Sequence, residues 1–433
     1  MSQKRPQAHR LERLGQNDLD TILKRHSRFR KGQLGGARAV LSFFDLGWLD
    51  FRGADLTDAD LTGSTLSRAT LDRVILDNAS LFSADLRGAS LDGASLVKGD
   101  LRGACLRGAR LVGASLIDAD LRESNLAERG DRDRDLHWIE IEPAVSQMQQ
   151  ADFSGADLSR ARCSGAICVN ANFSDAILRD VKLVRCNLRG ATFTGANLDG
   201  ADLSWANLEK ATLRDAIFTR VVVNMTELAG ADLRGALTDR PAGRALDELG
   251  DPIEVHLTQH ANWVTSAAAS GRQLDVSGCD MRSAGVLDEV NLNAVIANRS
   301  IWCGLDLTRA QMAAGQFADS DFRFAVLRGA DLRGADLQRT RLRNARLAGA
   351  NLRALALENG TLLPTRLCGA DLRYADLSGV DLRGADLRDV DLSQTVLDGA
   401  DLRGVDLRGA ILPKIIPDGT RLDLDAPVTG RQA

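Results

Sequence analysis

Residues 370–394 read ADLRY-ADLSG-VDLRG-ADLRD-VDLSQ. The unit is five residues long: a small residue, a polar one, leucine, then two more that are mostly polar or glycine. A period of five is neither 3.6 nor 2, so neither one long helix nor one long strand keeps a face buried. Within each unit the small residue and the leucine lie two apart, on the same side of extended backbone. The pair that follows supplies a turn. Each pentapeptide is therefore expected to be a short extended piece plus a corner, with both apolar residues inward.

The same unit spreads outward from this stretch through about two-thirds of the chain. It runs from Leu46 to Leu126, as in ADLTD-ADLTG, ADLRG, ASLDG and ACLRG. It returns from Phe153 to Leu233, as in ADFSG, ANLDG and ADLSW, and again from about Leu292 to Leu412. Phe153, Phe173 and Phe193 hold the leucine position at intervals of 20 residues. Four pentapeptides per coil would stack these core rings in one column, with coils about 4.8 Å apart.

The motif A(D/N)LXX quoted above resembles that of the pentapeptide-repeat family. The resemblance implies the fold class: an all-β solenoid, a right-handed quadrilateral β-helix, here with short capping helices. It also implies a sharper function, because some members, including fluoroquinolone-resistance proteins, resemble duplex DNA in size and negative charge and bind DNA gyrase. On this chain the candidate DNA-mimic rows are Asp371, Asp381, Asp386, Asp391, Asp401 and Asp406, with Asp376 in the same position. Asp371/Asp391, Asp381/Asp401 and Asp386/Asp406 are expected to stack. Against mimicry, the stretch from Asp371 to Leu412 holds nine aspartates and five arginines, the latter beside the acidic rows.

Composition agrees with a thin, regular core. Hydrophobic residues make up 44% of the 433, but aromatics only 4%, with Tyr374 the one tyrosine. The net charge of −4 draws the whole molecule toward neither nucleic acid nor membrane. The first 40 residues differ, with ten Lys/Arg against three Asp/Glu. Such a basic arm can touch nucleic acid or anionic lipid, although a solvated tail leading into a helix is the expectation. No stretch is long and apolar enough to span a bilayer, and MSQKRPQAHR lacks the apolar region of a secretory signal. Seven scattered cysteines without paired metal spacing fit reduced thiols. Cytoplasmic residence is expected.

Two breaks interrupt the repeat. Residues 127–150 form an excursion, with Trp138, Ile139 and Ile141 as candidate partner-binding residues. A second break, 237–273, contains PIEVHLTQHANWVTSAAASG, which resembles DTILKRHSRFRKGQLGG. Leu23, His26 and Phe29 match Leu257, His260 and Trp263, and spacings of three lie on one helical face. Each segment is expected to cap an open coil end. The organisation is then a basic tail (1–18), a cap and first coil array (19–236), a linker with the second cap (237–273), a second array (274–412) and a tail (413–433). Leu305 and Leu355 stand where a small residue belongs, so bulges or widened coils are expected there.

Catalysis finds little to work with. None of His9, His26, His137, His256 and His260 occupies a repeat position. His256 and His260 have the spacing of a metal pair but no HExxH context. There is no phosphate loop, and a leucine-filled coil offers no cleft to shift carboxylate pKa values. The expectation is a non-catalytic protein without metal or cofactor, presenting rigid faces and loops to a protein partner. DNA gyrase or topoisomerase IV is the alternative partner and an enzyme the remote one. An exposed coil end also allows a homodimer. No membrane contact is expected.

Overall fold

In the computed structural model, residues 11–123, 145–413 and 416–423 are described. The chain divides into two units, one up to Asp239 and one from Arg240. Two α-helices are present among these residues: α1 (Gln16–Arg30) in unit 1 and α2 (Ile253–Thr265) in unit 2. Strand structure is confined to four two-residue strands. β1 (Glu12–Arg13) pairs in parallel with β2 (Phe44–Asp45), and β3 (Leu355–Ala356) pairs antiparallel with β4 (Leu362–Leu363).

The expected all-β solenoid, a right-handed quadrilateral β-helix, is therefore corrected. The described residues form only two two-stranded sheets, and no closed or curled sheet is seen. The physical reason lies in the length of the repeat. Of every five residues two form a turn, and the last commonly takes a left-handed φ, as at Gly53, Asp58 and Arg68. Only the residue before each leucine then reaches a neighbour as an isolated parallel bridge. Two consecutive residues do not pair within the repeat, so no ladder propagates.

The isolated bridges nevertheless organise each unit. They join residues 20 apart, such as Asp60↔Ser80↔Asp100↔Asp120 and Asp381↔Asp401. In each rung of 20 residues the leucine N–H donates upward, as from Leu56 to the Ile75 carbonyl (2.7 Å). The residue before it returns a bond downward, as from Asp60 to the Ala39 carbonyl (3.1 Å). Leucine and its small neighbour are buried along the repeat, and the two units have separate cores. Each wholly buried leucine contributes about 1.5–3 kcal/mol, so a rung gains its stability by being stacked on another.

Breaks in the 20-residue spacing mark insertions. Asp120 bridges Arg162 and Cys105 bridges Gln147, both 42 apart, so the chain leaves and rejoins the same rung edges around the excursion. Trp138, Ile139 and Ile141 lie outside the described residues. In unit 2, Asp336↔Arg366 and Asn351↔Asp381 are 30 apart. The extra ten residues form the β3–β4 hairpin, which begins at Leu355. Leu305, by contrast, sits in a rung of ordinary spacing between Ile301↔Asp321 and Asp306↔Val326, so of the two leucines where a bulge or widened coil is expected, only Leu355 coincides with a break in the spacing.

Candidate functional site

The acidic rows of unit 2 are built from the repeat itself. The aspartate before each leucine turns its Oδ1 onto the N–H two residues on, as Asp381 does to Arg383 (3.2 Å) and Asp401 to Arg403 (3.3 Å). This is a local side-chain turn, and it fixes the carboxylate beside residue i+2. Where that residue is arginine, its guanidinium chelates the same carboxylate. Arg383 Nε and Nη2 donate to Asp381 at 2.9 and 2.7 Å, and Arg403 does so to Asp401 at 2.8 and 2.6 Å. Asp386 with Arg388 and Asp406 with Arg408 repeat the geometry.

Successive rungs link these pairs. Asp371↔Asp391, Asp381↔Asp401 and Asp386↔Asp406 are bridge partners. Arg383 and Arg388 also lie 4.0 and 3.8 Å from the carboxylates one rung on, Asp401 and Asp406. Asp371 accepts from both Arg373 and Arg343, and Asp391 accepts from the Ser393 N–H with Arg373 at 3.6 Å. The guanidinium hydrogen bonds hold Asp381, Asp386, Asp401 and Asp406 below the usual carboxylate range, Asp401 down to about 2. The rows are thus charged but locally neutralised, a surface of ion pairs in place of free anions.

Helices α1 and α2 are built alike. Leu19, Leu23 and His26 in α1 have the same spacing as Ile253, Leu257 and His260 in α2, on one helical face. Leu19 and both histidines are wholly buried, and Leu23 and Leu257 pack partly buried against their cores. The Ala39 N–H donates to His26 Nδ1 (3.0 Å), and the Leu274 N–H donates to His260 Nδ1 (3.1 Å). With Nδ1 accepting, the proton of His26 resides on Nε2, 3.1 Å from the Thr57 carbonyl oxygen. Phe29 and Trp263 stack on these imidazoles at 5.9 and 5.8 Å. Burial pushes both histidines below their ordinary pKa.

The remaining candidates do not converge on a reactive centre. Phe153, Phe173 and Phe193 are buried in the core of unit 1, with successive ring centroids 5.0 Å apart. Among the described residues no group of three or more His, Cys, Asp or Glu is placed to hold a metal ion, His256 and His260 included. The cysteines are free thiols, and burial raises the pKa of Cys163, Cys168 and Cys303 far above the ordinary range. No helix of the described residues is long and apolar enough to cross a membrane.

Two features escape a reading by motif. One is the hairpin, detectable as RALALENGTLLPT, where the five-residue period slips. The other is a buried polar cluster, in which Arg323 chelates Asp321 at 2.9 and 2.7 Å. Nearby, Trp302 Nε1 donates to Ser300 (2.6 Å) in the core. Ser300 and Ser320 stand at small-residue positions, and that substitution beside a core tryptophan is the only signal the sequence gives.

The family model described as pentapeptide repeats matches eight times, over residues 39–78, 75–113, 100–128, 156–195, 196–235, 316–353, 356–389 and 375–412. Together these matches cover more than half of the chain. No curated protein sequence matches. Among solved structures, HetL from the cyanobacterium Nostoc, a pentapeptide repeat protein involved in heterocyst differentiation regulation, is 24% identical. The alignment covers 81% of this chain and 91% of HetL, with a TM-score of 0.20. Rfr23 from the cyanobacterium Cyanothece is 29% identical over 30% of this chain and 88% of its own, with a TM-score of 0.20. QnrB1, a plasmid-mediated fluoroquinolone resistance protein, is 20% identical over 47% of this chain and 88% of its own, with a TM-score of 0.26.

Proposed function

The chain belongs to the pentapeptide-repeat family, and on that premise we propose that it is a non-catalytic protein whose stiff rungs present a binding surface to a protein partner. The observation that carries this reading is the interruption of a hydrogen-bonded scaffold by insertions. The rungs on either side of the excursion bridge each other directly, as Cys105 does Gln147, so the inserted residues are not needed to close the array. Segments that a rigid scaffold carries without needing them commonly serve recognition. Deleting residues 127–144, which keeps Gln147 and the buried Met148 in their rung, with a short linker restoring the register, is expected to leave thermal unfolding unchanged and to abolish capture of the partner from lysate. Capture that survives the deletion would move recognition to the rung faces.

One observation favours a second reading, in which the faces imitate the DNA that gyrase or topoisomerase IV binds. Asp371/Asp391, Asp381/Asp401 and Asp386/Asp406 stand as bridge partners on successive rungs, and repeated carboxylates at strand spacing approximate the phosphates of a duplex strand. The arginines two residues on weaken that field. Reversing Asp381, Asp386, Asp401 and Asp406 to lysine is the direct test. Loss of topoisomerase capture, with wild-type capture sensitive to salt, would support mimicry, and unchanged capture would end it.

A further inference from the structure

The N-terminal end of unit 1 carries apolar side chains that its core does not use. Leu34 is 98% exposed, Trp48 65%, Phe43 61% and Val40 56%, while Leu41 and Leu46 of the same rung are wholly buried. Phe43 and Trp48 occupy successive corners with φ of 62° and 67°, a left-handed region that bulky side chains seldom enter. Neither ring fills a cavity. Phe43 lies over Gly63, where an added methyl would meet its ring at 2.6 Å. Trp48 lies beneath the Arg68 guanidinium, 4.9 Å from the ring centre.

Leu34 is presented on a turn, Lys31-Gly32-Gln33-Leu34-Gly35-Gly36-Ala37-Arg38, folded back on the end of α1. The Gln33 N–H donates to the Arg28 carbonyl (2.9 Å) and the Ala37 N–H to the Arg25 carbonyl (3.1 Å). These bonds gather Arg25, Arg28, Lys31 and Arg38 around the turn, all exposed. Among the described residues none of these four forms an ion pair with a carboxylate, whereas Asp55 and Asp58 are held by Arg30 at 3.8 and 2.8 Å.

We propose that this end of unit 1 docks peripherally on an anionic lipid surface. Leu34 enters the boundary between headgroups and acyl chains, Phe43 and Trp48 lie at headgroup level, and Arg25, Arg28, Lys31 and Arg38 meet the lipid phosphates. The pairing of exposed Leu, Phe and Trp with Lys and Arg is what interfacial binding requires. Tryptophan favours that interface, and anionic leaflets attract clustered cations. A nucleic acid would also use the cations and stack on the rings, but it offers nothing to an aliphatic side chain held wholly in water. Lipid uses both features.

The full chain is tested by flotation with vesicles of phosphatidylcholine alone and of phosphatidylcholine mixed equally with phosphatidylserine. Binding is expected to the mixed vesicles only, and to weaken with salt. Leu34→Ser lowers it about tenfold, and the triple variant Arg25→Gln, Arg28→Gln, Lys31→Gln about a hundredfold. All four positions are exposed, and matching circular dichroism and melting curves verify that the variants fold. Failure of the wild type to bind mixed vesicles overturns the proposal, as does equal binding by wild type and Leu34→Ser. Retention on an oligonucleotide without vesicle binding overturns it in favour of nucleic acid.

Discussion

At the scale of the residue, the aspartate before each leucine is first a turn former and only second a charge. Its Oδ1 accepts the N–H of residue i+2, and asparagine does the same where it replaces aspartate, as Asn172 does for Ser174 and Asn197 for Asp199. A preference for Asp or Asn there therefore follows from the oxygen acceptor both share. The negative rows are a by-product that arginine at i+2 then neutralises. The helix histidines, His26 and His260, are a stricter case, because each spends its Nδ1 lone pair on a main-chain N–H and cannot be protonated there without losing that bond. Their pKa values are lowered by burial, so the folded chain binds fewer protons than the unfolded chain around the ordinary histidine pKa of 6.5. Stability from this source is complete above pH 6.5 and is lost as pH falls through the depressed folded value. The Thr57 carbonyl and the charges of Asp55 and Asp58 oppose that depression at His26, whereas the Arg30 charge adds to it. The melting temperature is expected to fall between pH 7 and pH 5. The double variant His26→Gln, His260→Gln should flatten that dependence while costing about 1–3 kcal/mol per histidine at pH 7. A slope unchanged by the double variant would place the pH sensitivity elsewhere.

At the scale of the element, the β3–β4 hairpin shows how an insertion is seated on a repeat. Leu355 and Leu363 pair across it and rest on the Gly334 corner. Thr365 closes its base, accepting from the Gly334 N–H at 2.9 Å. Gly334 has φ 67°, and a methyl there would lie 2.9 Å from Leu355 Cβ and 3.0 Å from Leu363 Cδ2. Gly349, with φ 68° and open space around it, carries the conformational cost without the contact. Gly349→Ala is expected to cost about 1–2 kcal/mol, the ordinary penalty of a left-handed non-glycine residue. Gly334→Ala should cost more and should speed amide exchange at Leu357, Gly360 and Thr361, which the control leaves untouched. Equal exchange in both variants would mean that contact with Gly334 does not seat the hairpin. Helices α1 and α2 were open to reading because Leu23, His26 and Phe29 recur in spacing as Leu257, His260 and Trp263. At the hairpin the place of the disturbance, Leu355, was legible but not its form, since leucines at 352, 355, 357, 362 and 363 imitate a repeat whose register has slipped. A sheet was expected where single bridges stand, because the sequence specifies inward residues but not how many neighbours in a row can pair.

At the scale of the whole molecule, the repeat makes stability a nearest-neighbour quantity, each rung resting on the two beside it. The core of unit 1 runs from Leu19 to Ala216 and that of unit 2 from Ile253 to Leu412, and no residue belongs to both. Their fillings differ as well. Unit 1 stacks Phe153, Phe173 and Phe193 in near-parallel rings, whereas unit 2 sets Phe317 edge-on against Trp302 and Phe322. Two cores without shared residues give no reason for one cooperative transition, so calorimetry of the full chain is expected to resolve two. Phe173 has a ring on either side at 5.0 Å, and its neighbours are fixed by their own bridges, so a cavity there cannot collapse. Phe173→Ala should therefore cost about 3–5 kcal/mol and lower one transition by about 6–20 °C while leaving the other in place. Leu382→Ala, in a wholly separate column of unit 2, should move the other transition alone. A single transition displaced by either variant would show that the division after Asp239 is not a division in folding, and that the two cores unfold together despite sharing no side chain.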